Sequence, residues 1–259
     1  MKGYLDEKFL KMCCTVSSCE VSGFKRVTSS QYAKVYCFEY EGQQFFYKSF
    51  LNRNRLDPIK GMLRESRAER ALSGHLLLQE NGFFTPLVVV VGKKGPHNFM
   101  VSKSINNGLG LRQYFKEEFV PPLAKEKIHE KRKIIFELGY TIGRMHRLGI
   151  YHGDLGLGNV ICALSNPFGS RYAFIDNERT VYYKRLPHRK IVKNLSQLNM
   201  IFDSAITNTD RLRFFHAYLS KNPTLALQKN VFIKRVLKKT GKRIARKIKK
   251  NPKWGGVPL

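Results

Sequence analysis

The stretch Tyr151-His-Gly-Asp-Leu-Gly-Leu-Gly-Asn159, followed by Ala173-Phe-Ile-Asp176, decides how this chain is read. It sets an Asp five residues before an Asn, then a second Asp at the end of a short apolar run. Phosphoryl transfer asks for these groups. A carboxylate must orient the attacking hydroxyl and accept its proton, and oxygen ligands must hold Mg²⁺ against nucleotide phosphates. In this reading Asp154 is the base, while Asn159 and Asp176 hold the metal. The Asp-x4-Asn spacing is weak evidence by itself and gains force from the second Asp on a plausible strand. The bland alternative is a polar loop that follows a helix.

Composition bounds the rest. A chain of 259 residues can bury one sizeable core or two small ones, and 42% apolar residues suit a soluble globular protein. No run approaches the roughly 18 apolar residues of a membrane span. The acidic residues in Met1-Lys-Gly-Tyr-Leu-Asp-Glu-Lys8 stand where a signal peptide would be apolar. These features predict a cytosolic protein, or a peripheral one on the cytosolic face of a membrane. Cys13, Cys14 and Cys19 do not follow a zinc spacing and are expected to be ordinary reduced thiols. Lys and Arg total 47 against 19 acids, a formal net charge of +28. Such a field attracts polyanions: nucleic acid, anionic lipid or a phosphorylated sugar lipid.

Patterning divides the chain into a strand-rich first part and a helical second part. Lys34 to Tyr40 and Gln44 to Lys48 read as a hairpin about Glu41-Gly42. Residues 59–80 read as a helix stopped by Asn81-Gly82. Phe84 to Val91 and Asn98 to Ser102 read as strands, with a turn over Gly92 to Pro96. After a linker near 103–108, helices are expected over Lys125 to Leu148, Ile191 to Ser204 and Arg211 to Leu219. The expected division is 1–102, 103–228 and a basic tail, 229–259. From Lys229 to Lys253 the tail holds twelve Lys or Arg and no acid. Phe232, Ile233, Val236, Leu237, Ile244 and Ile248 give it a partial apolar stripe, which reads either as an anionic membrane-surface anchor or as a solvated extension. Aromatic residues barely interleave with its charges, which disfavours nucleic acid as partner.

The nucleotide side needs a lysine on a strand to contact phosphates, and Lys48 ends the run Phe45-Phe-Tyr-Lys48. Its carboxylate partner is expected on the next helix. Glu65 and Glu69 are one turn apart, and Glu69 lies in the more regular part. No G-x-G-x-x-G precedes the hairpin. Ser29 and Ser30, in Thr28-Ser-Ser-Gln-Tyr-Ala-Lys34, are the candidates for approach to phosphates, although a plain turn reads equally well.

With these residues in place, the chain resembles the lipopolysaccharide core kinases, the Kdo kinase and heptose kinase family, which are divergent relatives of the protein kinases. The resemblance spans about residues 24–205. It rests on Phe46-Tyr-Lys48, Asn81-Gly-Phe-Phe-Thr-Pro86, Met100-Val-Ser-Lys103, Leu111-Arg-Gln-Tyr-Phe115, Gly143 to Asp154, Phe174-Ile-Asp-Asn-Glu-Arg179 and Lys193-Asn-Leu-Ser-Gln-Leu198. An Asp is usual where Asn194 stands, and Gly153 occupies the place of an Arg in many protein kinases. The resemblance implies a bilobal α+β fold of the protein-kinase type, with a basic C-terminal tail. It also implies ATP and Mg²⁺ as cofactors and phosphorylation of a sugar hydroxyl of the lipopolysaccharide inner core, at the cytosolic face of the Gram-negative inner membrane. Under it Lys48 binds phosphate, Glu69 orients Lys48, and Met100 to Ser102 line the adenine pocket through their backbone. Arg179 either braces the site or meets acceptor charge.

Three other functions compete. A protein Ser/Thr kinase would need an activation segment, but only about 14 residues separate Asp176 from the helix near Ile191. A small-molecule phosphotransferase of the aminoglycoside or choline type would need acidic residues for a cationic acceptor. A non-catalytic polyanion binder on a decayed scaffold would have little reason to keep Lys48, Asp154, Asn159 and Asp176 together.

Overall fold

The computed structural model describes residues 7–15, 23–51, 65–94, 97–163, 171–200 and 205–251, in two compact units, Met1–Asn106 and Asn107–Leu259. The boundary between them falls within the segment 103–108 that reads as a linker.

The first unit is an antiparallel sheet. Its strands are β1 (Lys25–Val27), β2 (Ala33–Tyr40), β3 (Gln43–Phe50), β4 (Val88–Lys94) and β5 (His97–Lys103), in the spatial order β1-β2-β3-β5-β4. β2 and β3 form the expected hairpin. Glu41 and Gly42 both take positive φ, which matches the twist of a two-residue hairpin turn. β4 runs through Gly92 to Lys94, beyond the expected strand, because its ladder with β5 continues to Lys94 and His97.

The sheet is covered on both faces, and side chains alternate between them. Phe45, Tyr47, Phe38, Phe99 and Val101 pack with Phe9 and Cys13 of α1 (Glu7–Thr15). Phe50 and Met100 pack with Ala68 and Ala71 of α2 (Arg67–Glu80). Residues 59–64 of the expected helix lie outside the described residues. Cys13, Cys14, Cys37 and Cys162 carry free thiols.

The second unit is largely helical. It contains β6 (Gly108–Gly110), α3 (Leu111–Glu118), α4 (Lys125–Arg147), β7 (Ile150–Tyr151), β8 (Val160–Ala163), β9 (Tyr172–Phe174), β10 (Val181–Tyr182), α5 (His188–Leu198), α6 (Asn208–Ser220), α7 (Pro223–Ala226) and α8 (Lys229–Lys250). α4 and α6 pack unusually closely. A methyl on Gly139 would lie 2.2 Å from the Phe214 carbonyl oxygen, and one on Gly143 would lie 2.7 Å from that of Tyr218. This contact anchors the floor from which the β7–β9 loops emerge. Residues 201–204 of the helix expected to follow Ile191 lie outside the described residues; α5 ends at Leu198.

Within the basic tail, Lys229–Lys250 form a single helix through Gly241, and this helix is part of the second unit. Phe232 and Val236 are only 3% and 9% exposed. Phe232 stacks with Phe215 at 6.2 Å, and α8 lies along α5. These two residues of the expected membrane stripe therefore belong to the protein core. Among the described residues, no helix is long and apolar enough to cross a membrane.

Candidate active site

In the second unit, Asp154 follows β7 on a loop whose shape is forced by close packing. Gly153 has φ +62°, and a methyl there would lie 2.3 Å from Arg179 Cβ and 2.4 Å from the Arg179 carbonyl oxygen. A side chain has no room at this position, which explains the missing Arg. His152 is fully buried, tilted against Phe174 at 6.0 Å. Burial lowers its pKa, with Asp176 and Asp154 partly opposing the shift. Among the described residues neither ring nitrogen reaches a hydrogen-bond partner, and His152 packs within the loop.

Asn159 and Asp176 are drawn to the same loop. The Asn159 side-chain amide donates to the Asp154 carbonyl at 2.8 Å, which leaves its Oδ1 turned to acceptor duty. The Ile175 N–H donates to the Asn159 carbonyl at 3.0 Å, tying the loop to the residue before Asp176. Asp176 itself adopts φ +60°, ψ +49° at the start of the short 3-10 turn Asn177–Arg179. This left-handed conformation, uncommon for a non-glycine residue, accompanies the change of direction at that point. The base candidate and two oxygen donors are thus assembled in one unit. Hard oxygen donors of this kind fit Mg²⁺, which completes its shell with phosphate and water oxygens and so needs few protein ligands.

The strongest feature of the site was not foreseen. Gln197 of α5 donates its amide to Asp154 Oδ1 at 2.7 Å. Asn194 donates to Gln197 Oε1 at 3.1 Å, and its own Oδ1 lies 3.1 Å from His146 Nε2. His146 Nδ1 lies 3.1 Å from the Tyr218 hydroxyl. A carboxylate only accepts, so each orientation follows from the previous one. Gln197 must present nitrogen to Asp154 and oxygen to Asn194. Asn194 must then present oxygen to His146, which carries its proton on Nε2 and accepts from Tyr218. Burial pushes the His146 imidazole down to about 4, keeping it neutral as this chain requires. An Asp at 194 could not donate to Gln197. With Asn at 194, α5 braces the loop through Gln197. Asn194 and Gln197 stand three residues apart, one helical turn, but nothing local in the sequence ties either to Asp154.

In the first unit, Lys48 pairs with Val35 and with Met100, and Phe46 pairs with Ser102. Cross-strand partners share a face, so Lys48, Met100 and Ser102 lie on the α2-covered side of the sheet. Lys48 Nζ sits 5.2 Å from the centre of the Phe50 ring.

Three expectations need correction here. Glu69 does not pair with Lys48 in this structure: its carboxylate accepts from the Ser66 N–H at 2.6 Å, and its own N–H donates to Ser66 Oγ at 3.2 Å. These bonds to Ser66 hold the carboxyl below the usual range. Ser66-x-x-Glu69 is a capping box, and the sequence pattern was legible as one. Met100 and Ser102 cannot offer backbone to a base. β5 lies between β3 and β4, with Met100 facing both Lys48 and Val91, and Ser102 facing both Phe46 and Val88. Finally, Ser29 Oγ donates to the Ala33 carbonyl at 2.7 Å and the Ala33 N–H donates to the Ser30 carbonyl at 3.0 Å. Ser29 and Ser30 therefore close a tight turn, and the Ser29 hydroxyl is spent on it.

The sequence model of the Lipopolysaccharide kinase (Kdo/WaaP) family matches residues 25–218, most of the chain and all of the residues above. This chain belongs to that family. Among curated relatives, the lipopolysaccharide core heptose(I) kinase WaaP of Pseudomonas aeruginosa is 26% identical over 176 residues, 63% of this chain and 61% of that protein. The KEOPS complex subunit Bud32 of Pyrococcus abyssi is 28% identical over 144 residues, 53% of this chain and 60% of that protein. The matches thus span about three-fifths of each relative's length. A solved structure of WaaP in complex with acyl carrier protein aligns over 92% of this chain and 97% of that one, with a TM-score of 0.63 and 21% identity, which establishes the shared fold. Family membership and fold agree with the mixed architecture: an antiparallel sheet first, a helical part second.

Proposed function

We propose that this protein is an ATP-dependent kinase that phosphorylates a sugar hydroxyl, of Kdo or heptose, in the inner core of lipopolysaccharide. The observation that carries this reading is the Asp154 carboxylate, held through one oxygen by Gln197 beside the oxygen donors Asn159 and Asp176. Asp154 aligns the acceptor hydroxyl with its remaining oxygen and takes the proton as the new O–P bond forms and the bond to ADP breaks. Asn159 and Asp176 would hold Mg²⁺, which neutralises charge on the transferring phosphoryl group. Lys48 provides a cation for the nucleotide phosphates. Since the backbone of Met100 to Ser102 is committed to the sheet, contact with adenine falls beyond Ser104.

The work site is the cytosolic face of an inner membrane, where anionic lipid and the anionic acceptor both attract a chain of net charge +28. The solvent-facing cations at the start of α8, Lys229, Lys234 and Arg235, serve the attraction to the lipid surface.

The test is transfer of labelled γ-phosphate from Mg·ATP to Kdo-lipid A and to heptose-bearing core acceptors, with Asp154→Ala as control. Labelling of one acceptor that disappears in the control is expected. Labelling of a generic basic protein or of an aminoglycoside, and of no sugar acceptor, would overturn the reading.

A further inference from the structure

The inward face of α8 continues past the core. Val236, Thr240, Arg243 and Lys247 recur at helical spacing on one side. Val236 and Thr240 are buried, and Asn199 donates to the Thr240 hydroxyl at 3.3 Å. One turn further, Arg243 Nε reaches Met200 Sδ at 3.4 Å, while Arg112 Nη2 of α3 donates to the Met200 carbonyl at 3.0 Å. Two guanidinium groups from separate helices thus converge just beyond the end of α5, three residues from the Gln197 that holds Asp154.

Cations also arrive from the other side. Lys193, one turn before Gln197 on α5, lies 5.5 Å above the Tyr151 ring, and Lys190 lies 4.6 Å above the same ring. Arg179 packs its backbone and Cβ against the Gly153 position. Among the described residues, no carboxylate forms an ion pair with Arg179, Lys193 or Arg243. Lys193 is held below the usual lysine range by burial, then by Arg179 and Lys190, with Arg243 adding to the shift. Lys247, one turn further and at the surface, is lowered by partial desolvation, then by Arg112 and Arg243. Geometry ties these cations to the base: Lys193 stands one turn before the Gln197 that holds Asp154, and Arg179 packs against Gly153, the residue before it. Like charges crowded this way cost stability, and an anion seated among them removes the cost.

We propose that Lys193, Arg179, Arg243 and Lys247 form an acceptor subsite beside Asp154 that binds an anionic group, phosphate or carboxylate, carried by the sugar to be phosphorylated. This rests on the sugar-kinase reading and deepens it. It gives α8 a part in acceptor recognition, and it makes the protein select acceptors whose reactive hydroxyl lies near a negative charge.

The experiment is calorimetric titration of the full chain with soluble probes. These are the deacylated, bisphosphorylated glucosamine disaccharide of lipid A, the same disaccharide after phosphatase treatment, and free Kdo, whose charge is a carboxylate. The two anion sources are thereby distinguished. The wild-type protein is expected to bind at least one anionic probe about tenfold or more tightly than the uncharged disaccharide. The pair Arg243→Gln with Lys247→Gln is expected to erase most of that difference. Lys238→Gln with Lys242→Gln, the same charge change on the opposite face of α8, is expected to keep it. Equal losses in both double variants would mean general electrostatic attraction and would overturn the proposal. So would no preference in the wild type, or a loss confined to Mg·ADP affinity in the Arg243/Lys247 variant. Phosphate transfer by the wild type is scored separately. Transfer without anion preference sinks the subsite alone, and anion preference without transfer sinks the sugar-kinase reading alone.

Discussion

The two units treat their polar residues in opposite ways. In the second, the hydrogen bond to the Asp154 carboxylate leads into a chain of buried groups: Gln197, Asn194, His146, Tyr218. In the first, the expected partners are occupied locally. Glu69 caps its own helix, Ser29 closes its own turn, and Lys48 lies by Phe50, its neighbour on the same face. The surroundings of Asp154 are therefore preorganised by the fold, as electrostatic catalysis requires. In the first unit Lys48 and Arg67 both lie over the Phe50 ring.

Substitutions can break this contrast. The largest stability loss is expected at the loop: Gly153→Ala places a methyl 2.3 Å from Arg179 Cβ at φ +62°. It should cost about 3 kcal/mol in denaturant unfolding and disable turnover as well. A loss under about 1 kcal/mol would show that the loop can move and is not fixed as described.

A comparable effect should appear with pH. His146 titrates near 6.5 when unfolded and about 4 when folded, so between those values the unfolded chain binds more protons. Stability is thus fully present above pH 6.5 and drains as pH falls toward 4, by about 3 kcal/mol at most. His152, buried and shifted the same way, adds to the slope. Urea midpoints measured from pH 7.5 to 4.5 should flatten in His146→Gln; an unchanged slope would remove His146 from the account.

Gln197→Leu keeps bulk but frees the Asp154 carboxylate. Turnover should fall about tenfold, with nucleotide affinity unchanged. A fall in affinity with intact turnover would relocate the role of Gln197. The smallest effect is expected in the first unit. Ser66→Ala should cost about 1 kcal/mol of stability through the lost cap and leave the KM for ATP alone. If that KM rises severalfold, Glu69 serves the nucleotide site after all.

Much of this contrast was legible in the sequence, and unequally. Asp154, Asn159 and Asp176 could be read because phosphoryl transfer constrains both residue type and spacing along one short segment. The β2–β3 hairpin and α4 were legible because turn residues and apolar period agree. Gln197 was harder. Its partner lies 43 positions away, and one glutamine on an amphipathic helix carries no local signal. The Lys48–Glu69 expectation failed because a second rule, the capping box at Ser66, competes for the same carboxylate. The backbone of Met100 to Ser102 was misread because a strand pattern does not reveal whether the strand is central. Phe232 and Val236 of α8 were open to two readings for a similar reason: helical spacing shows that a face is buried, not whether protein or lipid covers it.

The most direct test of the central claim compares Asp154→Asn with the wild type in one preparation, measuring Mg·ATP affinity and single-turnover phosphate transfer to the preferred sugar acceptor. The account predicts equal affinity and a fall in transfer of about 10³-fold, since Asn cannot accept the proton. Transfer at the wild-type rate would contradict the assignment of Asp154 as the base on which the whole site is built.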